Sequence, residues 1–358
     1  MADWLGKVRG HVGDARAREA EYVRTRAEAE AKPRSIILTE REVREGQWDA
    51  GKVIYTTMGG QARPVTADDL KTFQHNMRLA QRRFKSGQGI TARQVIDMAS
   101  AKPLPYIDPQ PGQASSDLDK ARKEITSGVP VSAVNGQIRF LTNASRGSNS
   151  TRHNVLVVLH AFEEAAARVA AMQAGESPKQ VASWLRKQKL SFDCDCERHR
   201  YFFRYLASIG GFAAGHKETG FPKIRNPKLI GVACKHVLRV VTELESSGSV
   251  LRFLENHLAK VSEYKAQTTL RQKEAEEAAE TRKGPTAIKT SDQRKSEAQS
   301  ARERRAARAA VRAAPKPARR SQATRRATKT EAAWETVARD SGLSVATLRK
   351  LLAKAGKR

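Results

Sequence analysis

The sequence predicts an α+β protein. A mixed body of strands and helices gathers around a cysteine cluster, with a charged helix ahead of it. Behind it come a basic linker without fixed structure and a helix-turn-helix-like hairpin. Three observations predict this. Short strand-like and helix-patterned segments alternate from residue 35 to about 150, and a β-branched run followed by helices continues to about 265. With 39% hydrophobic residues the chain can build a core. From 281 to 329 large apolar side chains almost vanish and basic residues outnumber acidic ones 16 to 3. A segment with so little to bury cannot offset its ordering entropy.

Residues 1–32 read as a charged helix whose apolar residues, Trp4, Leu5, Val8 and Val12, thin out early, so most of it should lie in solvent. Residues 33–150 form an α/β region of unassigned role. "SIILTE" and "KVIYTT" read as strands, and "TADDLKTFQHNMRLAQRRFK" as a helix capped by Thr66. "RQVIDMA" is a shorter helix and "PLPYIDPQPGQASSD" an extended loop. Asn135-Gly136 marks a turn into the strand "QIRFLTN".

Residues 151–265 read as one domain. "STRHNVLVVLHAFEEAAARVAAMQA" passes from a β-branched run into a helix. Ser177 as N-cap with Pro178 at the first helical position opens another, which leads into "LSFDCDC". "HVLRVVTEL" and "SVLRFLENHLAKVSEYKAQ" are amphipathic helices. Residues 266–329 form the linker and 330–358 the terminal hairpin.

Net charge is +28, from 66 Lys and Arg against 38 Asp and Glu. Such a surplus calls for a polyanionic partner, nucleic acid or an anionic membrane. No apolar run approaches a membrane span, and the start of the chain has no apolar signal region. Three cysteines make no disulfide framework, which points to a reducing compartment.

All three cysteines fall into a C-x-C plus C-x-H arrangement: Cys194 and Cys196, then Cys234 and His236, with 37 residues between the pairs. In an extended segment residues i and i+2 share a face, so both sulfurs of "CDC" can meet one ion. Cys234 sits where a loop ending in Gly231 enters a helix, and a helix N-terminus favours the thiolate. Three thiolates and an imidazole make a closed tetrahedral Zn(2+) site. Two other readings fit the same residues: three buried free thiols, or a catalytic Cys234 with a nearby histidine. His199 is a rival ligand, expected at the surface. The rings of Tyr201, Phe202, Phe203 and Tyr205 read as cover for this core, with stacking on single strands as the lesser alternative. "KIRNPK" reads as a solvated basic loop able to touch phosphate.

The C-x-C, long insert and C-x-H entering an apolar helix resemble the SWIM-type zinc finger, over Leu190 to Leu244. The resemblance implies Cys194, Cys196, Cys234 and His236 as ligands and a role in nucleic-acid or protein binding. A wider block, "FDCDCERHRYFFRYLASIGGF" through "FPKIRNPKLIGVACKHVLRVV" preceded by "IRFLTN", resembles virion structural proteins of tailed bacteriophages, from Gly136 to Leu244. It implies a place in a phage particle, made in the bacterial cytoplasm, among other virion proteins.

Residues 301–329 hold 11 basic residues and one acid. Arg302, Arg304, Arg305, Arg308, Arg312, Arg319, Arg320, Arg325 and Arg326, interspersed with alanine, can follow a DNA backbone without reading its sequence. A membrane is the weaker partner, since bulky apolar anchors are missing. "EAAWETVARDSGLSVATLRKLLAKAGKR" resembles the helix-turn-helix of resolvase- and repressor-like domains. By that resemblance Ala338, Gly342, Leu343 and Leu348 are structural, and Ser344, Thr347, Arg349 and Lys350 lie at or beside the groove. A helical hairpin docked on another protein is the other reading of this element.

No Gly-rich loop followed by Lys-Ser/Thr, nucleophile elbow or metal-spaced carboxylate cluster is visible, so no enzyme and no small-molecule substrate are expected. The expected function is a structural phage-particle protein (head, vertex or internal) with a structural zinc and sequence-independent contact to packaged DNA. The alternative is a cellular or phage DNA-binding regulator acting in the cytoplasm.

Overall fold

In a computed structural model, the structure describes residues 4–32, 36–49, 51–84, 87, 89–101, 105–106, 115–145, 148, 150–171, 177–260, 267–269, 286–313 and 322–355. It is a mixed α and β fold. The chain divides into two compact units, Met1–Arg294 and Lys295–Arg358.

The first unit begins with α1 (Trp4–Ala31), α2 (Glu40–Glu45), β1 (Tyr55–Thr56), β2 (Arg63–Pro64), α3 (Ala67–Phe84), β3 (Ile90–Thr91) and α4 (Ala92–Ala101). There follow β4 (Pro105–Tyr106), β5 (Ser115–Ser116), α5 (Asp117–Lys123), β6 (Gly128–Val134), β7 (Gln137–Asn143), β8 (Arg152–Leu159), α6 (Phe162–Ala170) and α7 (Pro178–Leu185). Then come β9 (Lys189–Cys194), α8 (Arg204–Gly210, entered through a π turn at His199–Phe203), α9 (Lys235–Ser246), α10 (Gly248–Ala259) and β10 (Gln267–Thr269).

The main sheet among the described residues is antiparallel, in the order β10-β6-β7-β8-β9-β3. Its β6–β7 hairpin turns on Asn135 (φ 46°) and Gly136 (φ 77°), the left-handed pair that matches strand twist. A Cβ on Gly136 would stand 2.5 Å from Phe162 Cβ. Gly136→Ala is therefore expected to cost about 2–4 kcal/mol, from left-handed strain plus overpacking. The urea midpoint measures it, and an unchanged midpoint would show that the hairpin tolerates another turn.

On the sheet lies α9. Every residue from Lys235 to Leu244 is buried, so this helix is enclosed all round rather than amphipathic at a surface. Its polar side chains are satisfied internally. Lys235 Nζ donates to Glu124 at 2.8 Å and to Ser145 at 2.6 Å. Arg239 donates to the carbonyls of Ile125 (2.6 Å), Ala121 (2.7 Å) and Thr286 (2.6 Å).

Local signals explain most elements. Thr66 accepts from the Asp69 amide as the N-cap of α3. Ser177 and Gln180 form a capping box behind Pro178 at the start of α7. The described residues of "SIILTE", 36–40, form no strand. Only Thr39 makes an isolated bridge, to Gly220, and the Thr39–Glu42 capping box turns the chain at once into α2. Of "KVIYTT" only Tyr55–Thr56 is a strand. Most of "PLPYIDPQPGQASSD" lies outside the described residues.

Much of α1 faces solvent, yet one side docks through polar contacts. Tyr22 donates to Glu218 at 2.6 Å, Arg26 pairs with Glu218 at 2.7 Å and Glu19 receives Arg204 at 2.6 Å. Burial works to raise the Glu218 carboxyl, but Arg26, Tyr22 and the Gly220 amide outweigh it and hold it below the usual range.

Residues 286–290 return to the body with Ile288 buried, and Thr290 and Gln293 form a further capping box. There begins α11 (Ser291–Ala313), where the sequence predicts no fixed structure. The reason is local: a built N-cap followed by alanine and arginine, both strong helix formers. Its described side chains past Ser291 are exposed, in keeping with a composition that offers little to bury.

The second unit continues with α12 (Gln322–Ser341) and α13 (Val345–Ala355), joined at Gly342 (φ 67°). Ser344 accepts from the Thr347 amide at 3.2 Å as the N-cap of α13, and the Arg349 guanidinium lies 5.8 Å from the Trp334 ring centre.

Candidate metal centre

The end of β9 carries Cys194 opposite Val155 of β8, on the face where Leu190 and Phe192 are buried. Two residues on, Cys196 returns to that face, while Asp195 between them turns away. Gly231 (φ 83°) lets the chain swing into α9, whose N-cap is Cys234. His236 follows inside the first turn. The pairs meet across the 37-residue insert.

The ligand-type atoms of Cys194, Cys196, Cys234 and His236 all lie within 4.8 Å of one another, and all four residues are buried. Four ligands about 2.3 Å from a zinc ion in a tetrahedron stand about 3.8 Å apart. Cys194 Sγ lies 4.0 Å from His236 Nδ1, and His236 Nε2 is buried without a hydrogen-bond partner. The residues fit a metal ion of zinc's preferences.

The three sulfurs and the imidazole influence one another's titration. Burial, then crowding by Cys196 and Cys234, pushes the Cys194 thiol well above its usual range. Burial also works to raise Cys234, but hydrogen bonds with Cys194, Cys196 and His199 outweigh it and set that thiol well below. Burial keeps His236 neutral, as a ligand requires. A bound cation would let the three sulfurs share the site as thiolates.

His199 is not at the surface. It is buried beside the cluster, and its amide donates to Cys196 Sγ at 3.3 Å. Its Nε2 is 3.0 Å from Asp193 Oδ1 as a charge pair. Burial opposes a charge there, but Asp193 and Cys234 outweigh it and push His199 up to about 9. It is a support for the cluster rather than one of its four converging groups.

Asp193 and Asp195 form an outer layer that the sequence reading missed. Asp193 also takes Arg204 at 3.0 Å, and Asp195 receives His153 Nδ1 at 2.9 Å and the Asn154 amide at 3.1 Å. The signal was present in "DCDC": alternation puts the cysteines on one face and the aspartates on the other. These partners fix the strand that presents the sulfurs. Of the aromatic run, Phe203 and Tyr205 are buried as cover for the core, whereas Tyr201 is exposed.

Arg302, Arg304, Arg305 and Arg308 are exposed on α11. Arg312 lies in the same helix, and Arg304, Arg305 and Arg308 fall within an arc of about 100°. Arg325 and Arg326 lie in α12, and Arg319 and Arg320 outside the described residues. Thr347, Arg349 and Lys350 are exposed on α13. Among the described residues no helix is long and apolar enough to cross a membrane.

Comparison with known protein families, curated proteins and solved structures finds no match to this chain.

Proposed function

We propose that this chain is a non-enzymatic structural protein of a tailed-phage particle. A zinc ion on Cys194, Cys196, Cys234 and His236 holds its body together, and its basic tail contacts DNA without reading sequence. The observation that carries the zinc reading is the convergence of those four buried groups within 4.8 Å. Three sulfurs and one nitrogen complete a tetrahedron and leave no position for a substrate, so the ion's work is structural. The SWIM likeness of Leu190 to Leu244 fits this arrangement. The place in a virion rests on the likeness of the block from Gly136 to Leu244.

The arginine face of α11 supports backbone contact with DNA. Six neutralised phosphates would give a log–log salt slope near −5. Binding of the full chain to unrelated duplexes is expected to be equally tight and to follow that slope. Replacing Arg302, Arg304, Arg305 and Arg308 with Gln is expected to flatten it by about three to four. Fluorescence anisotropy across a salt series measures both, and co-purification with particles tests location.

The terminal hairpin favours the second reading, a regulator. Leu351 and Leu352 are 52% and 55% exposed, an apolar face suited to a partner. Preference for one duplex site by about a thousandfold or more at physiological salt would establish that reading.

A further inference from the structure

A cleft of about 240 Å³ opens on the first unit between α1, the turn that begins α8 and the loop 220–225. Neither the metal centre nor the tail uses it. It joins two features that lie apart in the sequence, Tyr201 of "YFFRY" and the basic "KIRNPK" loop.

Tyr201 offers an aromatic surface, being 47% exposed and edge-on to Tyr22 with ring centres 6.2 Å apart. Tyr22 is itself held by Glu218 and covered by the Arg200 guanidinium at 4.5 Å. Across the cleft the loop is tied down by hydrogen bonds. Asn226 is buried and donates to the carbonyls of Phe202 and Ile230, both at 3.0 Å, which ties the loop to the aromatic run. The Thr56 hydroxyl donates to the Lys223 carbonyl at 2.8 Å and that of Thr57 to the Ile224 carbonyl at 2.6 Å.

The charges are unbalanced. Arg26, Arg200, Lys223 and Arg225 line the cleft against the single carboxylate of Glu218. Arg26 is engaged by Glu218 and Arg200 by Glu19. Lys223 and Arg225 take part in no ion pair among the described residues. Burial and the neighbouring Arg26 hold the Lys223 ammonium below its ordinary range, a cost that a bound anion would relieve.

We propose that this cleft binds single-stranded nucleic acid, with one unpaired base stacked on Tyr201 and the adjoining phosphates held by Lys223 and Arg225. A base inside a duplex has no free face to offer, so one exposed ring in a concave cationic site selects the unpaired strand. The site lies on the body and does not rest on the tail's contact with DNA.

The test is photocrosslinking of the full chain to a short oligothymidylate carrying 5-iododeoxyuridine, with the crosslink mapped by mass spectrometry. The expected crosslink is at Tyr201, and unlabelled single strand displaces it while duplex of the same sequence does not. Lys223→Gln with Arg225→Gln is expected to lower its yield about tenfold, and Tyr201→Leu to abolish it, with unchanged melting temperatures. The tail Arg→Gln variant retains it, so failure of the tail reading and failure of this one are seen separately. Crosslinks confined to the tail, equal competition by duplex, or equal displacement by polyglutamate, which would mark an acidic-peptide site, overturn the proposal.

Discussion

The protein as purified is expected to contain one zinc ion per chain, and Cys234→Ser or His236→Ala to lose both the ion and the cooperative thermal transition of the body. The magnitude follows from what the ion holds. Structural zinc binding contributes on the order of 10 kcal/mol or more near neutral pH, as much as the whole stability of a typical domain. Here it would join the end of β9 to the start of α9, and α9 is the enclosed helix against which α4, α5 and the sheet pack. Without the ion three buried thiols and a neutral imidazole remain, and the orphaned His236 Nε2 stays buried. Chelation should act like substitution. Acidification should release the ion as the thiolates and His236 take up protons. Elemental analysis beside thermal melts is the measurement. Zinc-free protein that melts like the untreated sample would leave a core of free thiols and remove the structural role.

Arg239→Leu is expected to cost about 3–5 kcal/mol, the penalty for breaking a buried charged network. The guanidinium is buried, donates to three carbonyls on α5, the turn after it and the 286–290 segment, and lies 3.8 Å from the buried Glu243. Arg239→Lys should recover little, because one ammonium cannot reach three carbonyls set around a planar fork. Chemical denaturation gives the size. Hydrogen exchange gives the place, since amides from 286 to 290 should open before those of the sheet. A loss under about 1 kcal/mol would mean that water replaces the guanidinium at little cost.

Much of this was legible in the sequence where the signal is local. The turn at Asn135-Gly136, the caps Thr66 and Ser177, and the alternation that pairs Cys194 with Cys196 each depend on a few adjacent residues. The convergence of Cys194, Cys196, Cys234 and His236 could be expected because no cysteine was left over. What escaped depends on distant packing. His199 is drawn inward by the π turn at the start of α8, a departure from helical phase that residue spacing does not reveal. The burial of Arg204 requires Asp193 and Glu19 to arrive from elsewhere in the chain. The α11 helix is the opposite case: Thr290-x-x-Gln293 was present as a start signal, and composition overshadowed it. "SIILTE" misled likewise, because its β-branched pair stands directly before the Thr39–Glu42 box.

The return of residues 286–290 to the body has a mechanical consequence. Tension on the basic helix enters the first unit through a short series of grips. Ser291 holds Asp97, Arg122 holds the Ile288 carbonyl, Arg93 holds the Lys289 carbonyl and Arg239 holds the Thr286 carbonyl. The last of these belongs to the helix that bears Cys234 and His236. A pull along the basic helix would therefore end one turn of helix from Cys234 and His236, where a bound ion would act as the rivet.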